Sequence, residues 1–127
     1  MPAPVVHFEI IGKDPRALGA FYASAFGWDV DTDHPVAGAG GTEYLMVRPD
    51  GEQPPKAGIN GGFGAAMEGY DGHVTFYVWV PSVSEALDKV ESLGGSRVMG
   101  PEQTGGPVIA LFADPQGNVI GLVEGEP

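Results

Sequence analysis

Cysteine is absent from the chain, which excludes disulfide bonds, thiolate metal sites and cysteine nucleophiles. Basic residues are scarce: 6 lysines and arginines stand against 17 aspartates and glutamates, for a net charge of −11. This balance disfavours nucleic acid and anionic membranes as partners, because both are bound through basic groups that meet phosphates. No apolar run approaches membrane-spanning length, and no basic start leads into an apolar signal core. We therefore expect a soluble, cytoplasmic protein.

The 127 residues suffice for one domain with its own hydrophobic core, so we interpret 1–127 as a single domain. Glycine is abundant, at 21 residues, without low-complexity repeats, which indicates tight turns between short strands. The segment GINGGFG (58–64) lacks the lysine and hydroxyl of a phosphate loop. We expect a bent or bulged strand there, in which glycine permits close backbone approach.

The first half of the sequence begins with a strand and a helix. VVHFEII (5–11) is rich in β-branched and aromatic residues, which favour a strand. Asp14-Pro15 is typical of a helix start, and Gly27 of a left-handed helix end. Trp28 follows directly, and we expect it to fill the core. The helix spacing predicts one apolar face, formed by Leu18, Phe21, Tyr22 and Ala25.

The second half repeats this order of signals. GHVTFYVWV (72–80) predicts the strongest strand of the chain, and Ser82 with Glu85 forms a capping-box sequence. An apolar helix stripe follows, and Gly94-Gly95 ends it. Shorter strand candidates come after each helix: 28–32, 42–48 and 57–63 in the first half, then 96–100, 107–113 and 118–124 in the second. The sequence therefore predicts an α+β fold built from two β-α-β-β-β modules, about 1–66 and about 67–127.

Three segments together resemble the vicinal oxygen chelate superfamily, which includes glyoxalase I, extradiol dioxygenases, and fosfomycin and bleomycin resistance proteins. They are VHFEIIGKDPRALGAFYASAFGW, GHVTFYVWVPSVSEALDKVESLGG and the closing FADPQGNVIGLVE, and the resemblance that they carry extends over nearly the whole chain. The resemblance implies that the modules form a curved mixed sheet whose inner face is a ligand cup, with the helices on the outer face. It also implies a homodimer. Many members bind a divalent metal through four side chains, whereas others have lost the metal and keep the cup.

Strand parity predicts which side chains face the cup, because residues two apart share a face of a strand. On the first strand Val6, Phe8 and Ile10 form the apolar set, which leaves His7 and Glu9 on the cup side. On strand 72–80, Val74, Phe76, Val78 and Val80 form the helix-facing set. His73, Thr75, Tyr77 and Trp79 then face the cup. His7 and His73 match positions that the family uses for metal ligands.

The other two ligand positions do not match. In metal-binding relatives the closing turn leads to a carboxylate at the position that Gly121 occupies here. Aligning Glu124 to that ligand needs a three-residue shift, which reverses the strand's faces, so we expect Glu124 to be a solvated strand end. On strand 42–48 the cup receives Tyr44, Met46 and Arg48, none of which is a usual ligand for a divalent ion. A register slip would offer Glu43 instead.

These observations favour a small-molecule binding protein of the glyoxalase and bleomycin resistance type, without metal or other cofactor, that holds an apolar or aromatic organic ligand. Aromatic faces suit such a ligand, and the polar residues would fix its orientation. The first alternative is a metal-dependent glyoxalase I-like lyase or dioxygenase that uses His7 and His73. The second is a metal-free enzyme with acid–base chemistry at His7, Glu9 and His73. The predicted ligand contacts are His7, Glu9, Tyr44, Met46, His73, Thr75, Tyr77, Trp79 and Gly121.

Overall fold

The computed structural model describes residues 2–125. Their contacts divide them into two units. The first unit is His7–Val74, and the second contains residues 2–6 together with 75–125.

Two successions of strand, helix and further strands follow each other along the described residues. The first contains β1 (Val5–Gly12), α1 (Pro15–Phe26), β2 (Asp29–Val30), β3 (Val36–Ala37), β4 (Glu43–Arg48) and β5 (Gly61–Ala65). The second contains β6 (His73–Trp79), α2 (Val83–Ser92), β7 (Ser96–Gln103), β8 (Val108–Ala113) and β9 (Val119–Glu124). The predicted α+β class and the doubled β-α-β-β-β order are confirmed, with the two-residue strand β3 as an addition.

In the first unit the sheet has the strand order β2-β4-β5-β1, with β3 paired to β4. β1 and β5 run parallel, in a register that pairs Phe8 with Gly61 and Ile10 with Phe63. β4 runs antiparallel to β5 and to β2. This register fixes which side chains of β1, β4 and β5 share a face of the sheet.

Helix α1 begins and ends as the sequence predicts. Asp14 caps it by accepting a hydrogen bond from the Ala17 backbone N–H, and Gly27 ends it at φ 73°. Its predicted apolar face is wrong for two of the four members, because Phe21 is 62% exposed and Ala25 is exposed as well. The buried positions include Gly19 instead, where an added Cβ would lie 3.0 Å from the Val30 side chain. A small residue there lets the helix approach the sheet closely.

The core of the first unit is aliphatic on β4 and aromatic around α1. Leu45 and Val47 are fully buried, as the predicted parity of this strand requires, and so is Phe63 on β5. The rings of Tyr22 and Trp28 stack with centroids 5.1 Å apart, and both stack on the ring of Phe63. The prediction that Trp28 fills the core is confirmed.

In the second unit the strand order is β6-β9-β8-β7, with β6 parallel to β9 and the other pairs antiparallel. Ser82 caps α2 by accepting a hydrogen bond from the Glu85 N–H. The buried cluster beside α2 consists of Val80, Val83, Leu87, Ala110 and Leu122, with Val78 packed against it.

Two residues of the predicted helix-facing set on strand 72–80 are not buried. Val74 is 76% exposed and Phe76 is 39% exposed, whereas Val80 is 9% exposed. The prediction was therefore wrong for the first part of this strand. Alternation marks two faces of a strand but carries no information on how far along it the covering helix extends.

Within the described residues, no helix is long and apolar enough to cross a membrane.

Candidate functional site

One face of the first unit carries His7 and Glu9 on β1 and Tyr44 on β4. Phe8, which alternates with them, packs against Trp28 in the core. His7 Nε2 and the Tyr44 hydroxyl are hydrogen-bonded at 2.7 Å, and the two rings are stacked at an angle of 25°. The predicted parity of β1 and β4 therefore brings an imidazole and a phenol together on this face.

The glycine-rich strand β5 makes room for Tyr44. A Cβ added at Gly62 would overlap the Tyr44 ring, and one at Gly64 would lie 2.9 Å from it. On the other face of β5, a Cβ at Gly61 would overlap the ring of Phe8. The glycines of β5 thus permit the close approach to the backbone that the sequence indicated, and the groups that approach are the rings of Tyr44 and Phe8.

A second hydrogen-bonded group joins Glu9 to His73, at the start of β6, and to Tyr70, in the preceding turn. His73 Nε2 lies 2.6 Å from Glu9 Oε2, and the Tyr70 hydroxyl lies 2.5 Å from His73 Nδ1. The side chains of Glu9 and His73 are 7% and 12% exposed. Tyr70 is 41% exposed. The three groups form a chain from a buried carboxylate through an imidazole to a partly exposed phenol, which we call the Glu9–His73–Tyr70 chain.

Sequence reasoning missed Tyr70, because it lies outside every predicted strand and helix. The sequence does contain a signal for this contact: Tyr70 lies three residues before His73, and Gly69 and Gly72 on either side of it favour a turn. Both glycines have positive φ, and the turn that they form folds the tyrosine back onto the histidine.

Burial and the charge of Glu9 act on two titrating groups of this face. Burial lowers the pKa of His7 below its ordinary value, and the charge of Glu9 opposes part of that shift. Burial raises the pKa of Tyr70, and the charge of Glu9 raises it further. His7 is therefore disposed towards its neutral form, and the Tyr70 hydroxyl keeps its proton over the physiological range.

The residues of this face do not fit a divalent metal centre. His73 has both ring nitrogens in hydrogen bonds with protein partners, and His7 has Nε2 in a bond with Tyr44. An imidazole nitrogen must present a lone pair to a metal, so coordination would break these bonds. Among residues 2–125, no group of three or more histidines and carboxylates is placed to hold a metal ion.

Met46, also predicted to face the ligand, is 38% exposed on β4. It lines a shallow, open pocket of about 140 Å³ together with Arg48 and residues 29–33. Five of the nine predicted contacts thus lie in the first unit: His7, Glu9, Tyr44, Met46 and His73.

The other four predicted contacts lie in the second unit, where most of them already have partners. Thr75 is buried, and its hydroxyl donates a hydrogen bond of 2.8 Å to the Val119 carbonyl. Trp79 Nε1 donates to the Gly125 carbonyl at 3.0 Å. The Tyr77 ring is 4% exposed and covers Gly121, where an added Cβ would lie 2.6 Å from it. As ligand contacts, these four residues stay predictions.

Glu124 is not the solvated strand end that the sequence suggested. Its Oε1 accepts a hydrogen bond of 2.8 Å from the Val83 backbone N–H, the first residue of α2. The first N–H groups of a helix lack partners within the helix, and a carboxylate there is favoured by the helix dipole. The last carboxylate of β9 therefore supports a helix start.

The two β-α-β-β-β halves, together with the match of a glyoxalase-like family model, define a protein of the vicinal oxygen chelate class. A family model described as "Glyoxalase-like domain" matches residues 7–123, and the chain belongs to this family.

Two curated relatives and two solved structures illustrate the similarity. The chain is 37% identical over 118 residues to "Putative glyoxylase CFP32" of Mycobacterium tuberculosis and, equally, of Mycobacterium bovis. The match covers 86% of this chain but only 41% of those proteins, so the chain spans about two fifths of their length.

Methylmalonyl-CoA epimerase from Mycobacterium tuberculosis has a TM-score of 0.68 at 16% identity, over 97% of this chain and 88% of that one. A variant of the Streptomyces coelicolor epimerase, in complex with 2-nitronate-propionyl-CoA, has a TM-score of 0.67 at 16% identity, over 100% of both chains. At such identities the similarity shows the fold alone.

Proposed function

We propose that the chain is a metal-free binding protein of the glyoxalase-like family that holds a small organic ligand, apolar or aromatic. The ligand lies against the face of the first unit that carries His7, Tyr44 and the pair of Glu9 and His73. One observation carries the proposal: both ring nitrogens of His73 are hydrogen-bonded to protein groups, Glu9 and Tyr70. Glu9 and Tyr70 hold the His73 ring through these hydrogen bonds, so neither ring nitrogen presents a lone pair to a metal ion.

The arrangement suits binding because its polar groups are fixed before a ligand arrives. Glu9 is 5% exposed and holds the His73 ring, while Tyr44 holds the His7 ring from β4. Preorganised groups lose little conformational freedom on binding, which favours affinity. Aromatic and thioether surface from Tyr44 and Met46 would contact the apolar part of the ligand.

Metal content and ligand binding test the proposal together. Protein purified without added metal is expected to contain no stoichiometric ion by elemental analysis. Its melting temperature should not rise with zinc, nickel, manganese or iron(II). A tightly bound ion that is lost in His7→Ala or His73→Ala would overturn the proposal and support a metal-dependent lyase or dioxygenase.

Ligand-observed NMR with a library of aromatic fragments supplies the second measurement. Bleomycin, methylmalonyl-CoA and the hemithioacetal of methylglyoxal and glutathione are added as probes from the wider family. We expect binding that His73→Ala weakens at least tenfold. His34→Ala is the matched control, because the His34 side chain is 83% exposed and pairs with Asp31 instead. A panel without any binder would contradict the proposal.

A second candidate, metal-free acid–base catalysis, is favoured by the buried hydrogen bond between Glu9 and His73. A carboxylate that accepts from one imidazole nitrogen makes the other a stronger proton acceptor. Product analysis and deuterium incorporation in D2O, for each compound that binds, distinguish the two functions. Turnover that His73→Ala abolishes, and that His34→Ala leaves intact, would favour the enzyme.

A cytoplasmic homodimer completes the proposal. Exposed apolar side chains support an association between copies, among them Phe21 at 62% and Phe26 at 65% exposure on α1. Light scattering coupled to size-exclusion chromatography should give twice the 13.2 kDa chain mass. A single-chain mass at all concentrations would contradict the dimer.

A further inference from the structure

The segment 66–72 holds Tyr70 in a fixed place beside His73. Its first residue is tied to β1, because the Ala66 N–H donates to the Gly12 carbonyl at 2.7 Å. At its other end, Gly72 has φ 112° and lies so close to the Ile11 carbonyl that a Cβ would overlap it. Inside the segment, the Tyr70 N–H donates to the Met67 carbonyl at 3.0 Å. The phenol is therefore positioned by backbone contacts on both sides.

We take Glu9 as ionised and His73 as neutral, and the directions of the two hydrogen bonds then follow from the chemistry of the three groups. An ionised carboxylate only accepts, so His73 Nε2 carries a proton and donates to Glu9. In the neutral imidazole Nδ1 is then an acceptor, and the Tyr70 hydroxyl donates to it. The single proton of the phenol is committed to His73. The hydroxyl can then only accept from a further partner, through the lone pairs of its oxygen.

We infer that Tyr70 is a ligand-binding residue whose hydroxyl oxygen accepts a hydrogen bond from the ligand, and that the site selects aromatic compounds carrying a hydrogen-bond donor, above all an amine. This inference rests on the proposed binding function and names its ligand class. It adds a residue outside the predicted contacts.

The charges around the chain favour the same class of ligand. Glu9 places a negative charge behind His73, and the whole protein carries a net charge of −11. Burial and the Glu9 charge raise the pKa of Tyr70, so the hydroxyl keeps its proton. Tyr70 is 41% exposed, and an aromatic ring attracts an ammonium group that lies over its face. An anionic group at this place would meet the Glu9 charge and a hydroxyl without a proton to donate.

Three compounds that share a phenyl ring and a two-carbon chain separate the possibilities: 2-phenylethylamine, 2-phenylethanol and 3-phenylpropanoate. Their dissociation constants are measured by NMR titration of the wild-type protein, and the shifts of the Tyr70 and Gly72 amides report the location. We expect the amine to bind most tightly, then the alcohol, then the carboxylate.

Tyr70→Phe keeps the ring and removes only the hydroxyl oxygen. It is expected to weaken 2-phenylethylamine about tenfold or more, as a hydrogen bond to a charged donor requires, and to leave 3-phenylpropanoate unchanged. Tyr22→Phe is the matched control, because Tyr22 packs in the core aromatic cluster. It should alter neither affinity.

The inference is overturned if 2-phenylethylamine does not bind, binds no better than 3-phenylpropanoate, or binds Tyr70→Phe as well as wild type. The proposed function has its own test, so the two can fail separately. If the carboxylate or another fragment binds and His73→Ala abolishes that binding, the binding function stands and only the donor-ligand inference falls. Metal uptake without any organic ligand would remove the binding function itself.

Discussion

His73 Nε2 and Glu9 Oε2 lie 2.6 Å apart, although 64 residues separate the two side chains in sequence. Both side chains are nearly buried, at 12% and 7% exposure. A charge in such surroundings acts strongly on its neighbours, because little water screens it. Glu9 accordingly raises the pKa of Tyr70 and opposes the lowering of the pKa of His7 by burial.

Replacing Glu9 by glutamine should lower the pKa of two neighbours. The amide oxygen of Glu9→Gln can still accept from His73 Nε2, so the fold is expected to persist. Without the negative charge, the pKa of His7 should fall further below its ordinary value, and the pKa of Tyr70 should fall as well. NMR titration of the histidine and tyrosine side chains measures both.

Glu68→Gln is the control for this substitution, because Glu68 is an exposed glutamate of the turn before Tyr70. It removes the same charge from the surface and should leave the pKa of His7 where it is. A rise in the pKa of His7 in Glu9→Gln would contradict the electrostatic interpretation, and so would equal effects of the two variants.

The lowered pKa of His7 predicts a stability that depends on pH. Between the folded pKa and the unfolded value near 6.5, the unfolded chain binds more protons at His7 than the folded chain does. The contribution of His7 to the free energy of unfolding should therefore be fully present above about pH 6.5. It should decrease as the pH falls below that value, by at most about 1.4 kcal/mol per pH unit for one proton. Urea unfolding at pH 5.0–8.0 measures it.

His7→Asn should reduce this pH dependence, because asparagine does not titrate. His34→Asn, a substitution of the exposed histidine, should keep it. A free energy of unfolding that rises as the pH falls from 6.5 would have the wrong sign for a histidine buried in its neutral form. In that case the burial of His7 would not be what sets its pKa.

Parity and capping signals were sufficient to predict the elements and much of the first unit's face. Asp14, Gly27 and Ser82 cap their helices through local interactions, which a single sequence displays directly. His7 and Tyr44 share a face because alternation along β1 and β4 is local as well. The register between strands then joins them.

Contacts outside regular elements could not be predicted in this way. Tyr70 reaches His73 through a turn whose shape depends on Gly69 and Gly72, and no periodicity marks it. Glu124 contacts Val83, 41 residues away, through tertiary packing. Gly121 was predicted to contact the ligand, but parity could not reveal that the Tyr77 ring covers this glycine.

Gly121→Ala is expected to destabilise the protein. The added methyl group would lie 2.6 Å from the buried Tyr77 ring, so the ring or β9 must move, at a cost of about 1–3 kcal/mol. Gly106→Ala is the matched control, because a Cβ there meets nothing within 4 Å. Urea unfolding of both variants measures the difference. Equal stability of Gly121→Ala and wild type would show that the ring does not rest on Gly121.

Glu124→Ala should destabilise α2 through the loss of its bond to Val83. The Val83 N–H belongs to the first turn of the helix and has no partner within it, so removing the carboxylate is expected to cost about 1 kcal/mol. Urea unfolding measures the loss, and Glu68→Ala controls for removing a glutamate from the acidic surface. If Glu124→Ala is as stable as Glu68→Ala, Glu124 is the solvated strand end that the sequence suggested. A loss confined to Glu124→Ala would mean that the only carboxylate of β9 supports a helix, which leaves none on that strand to serve a metal.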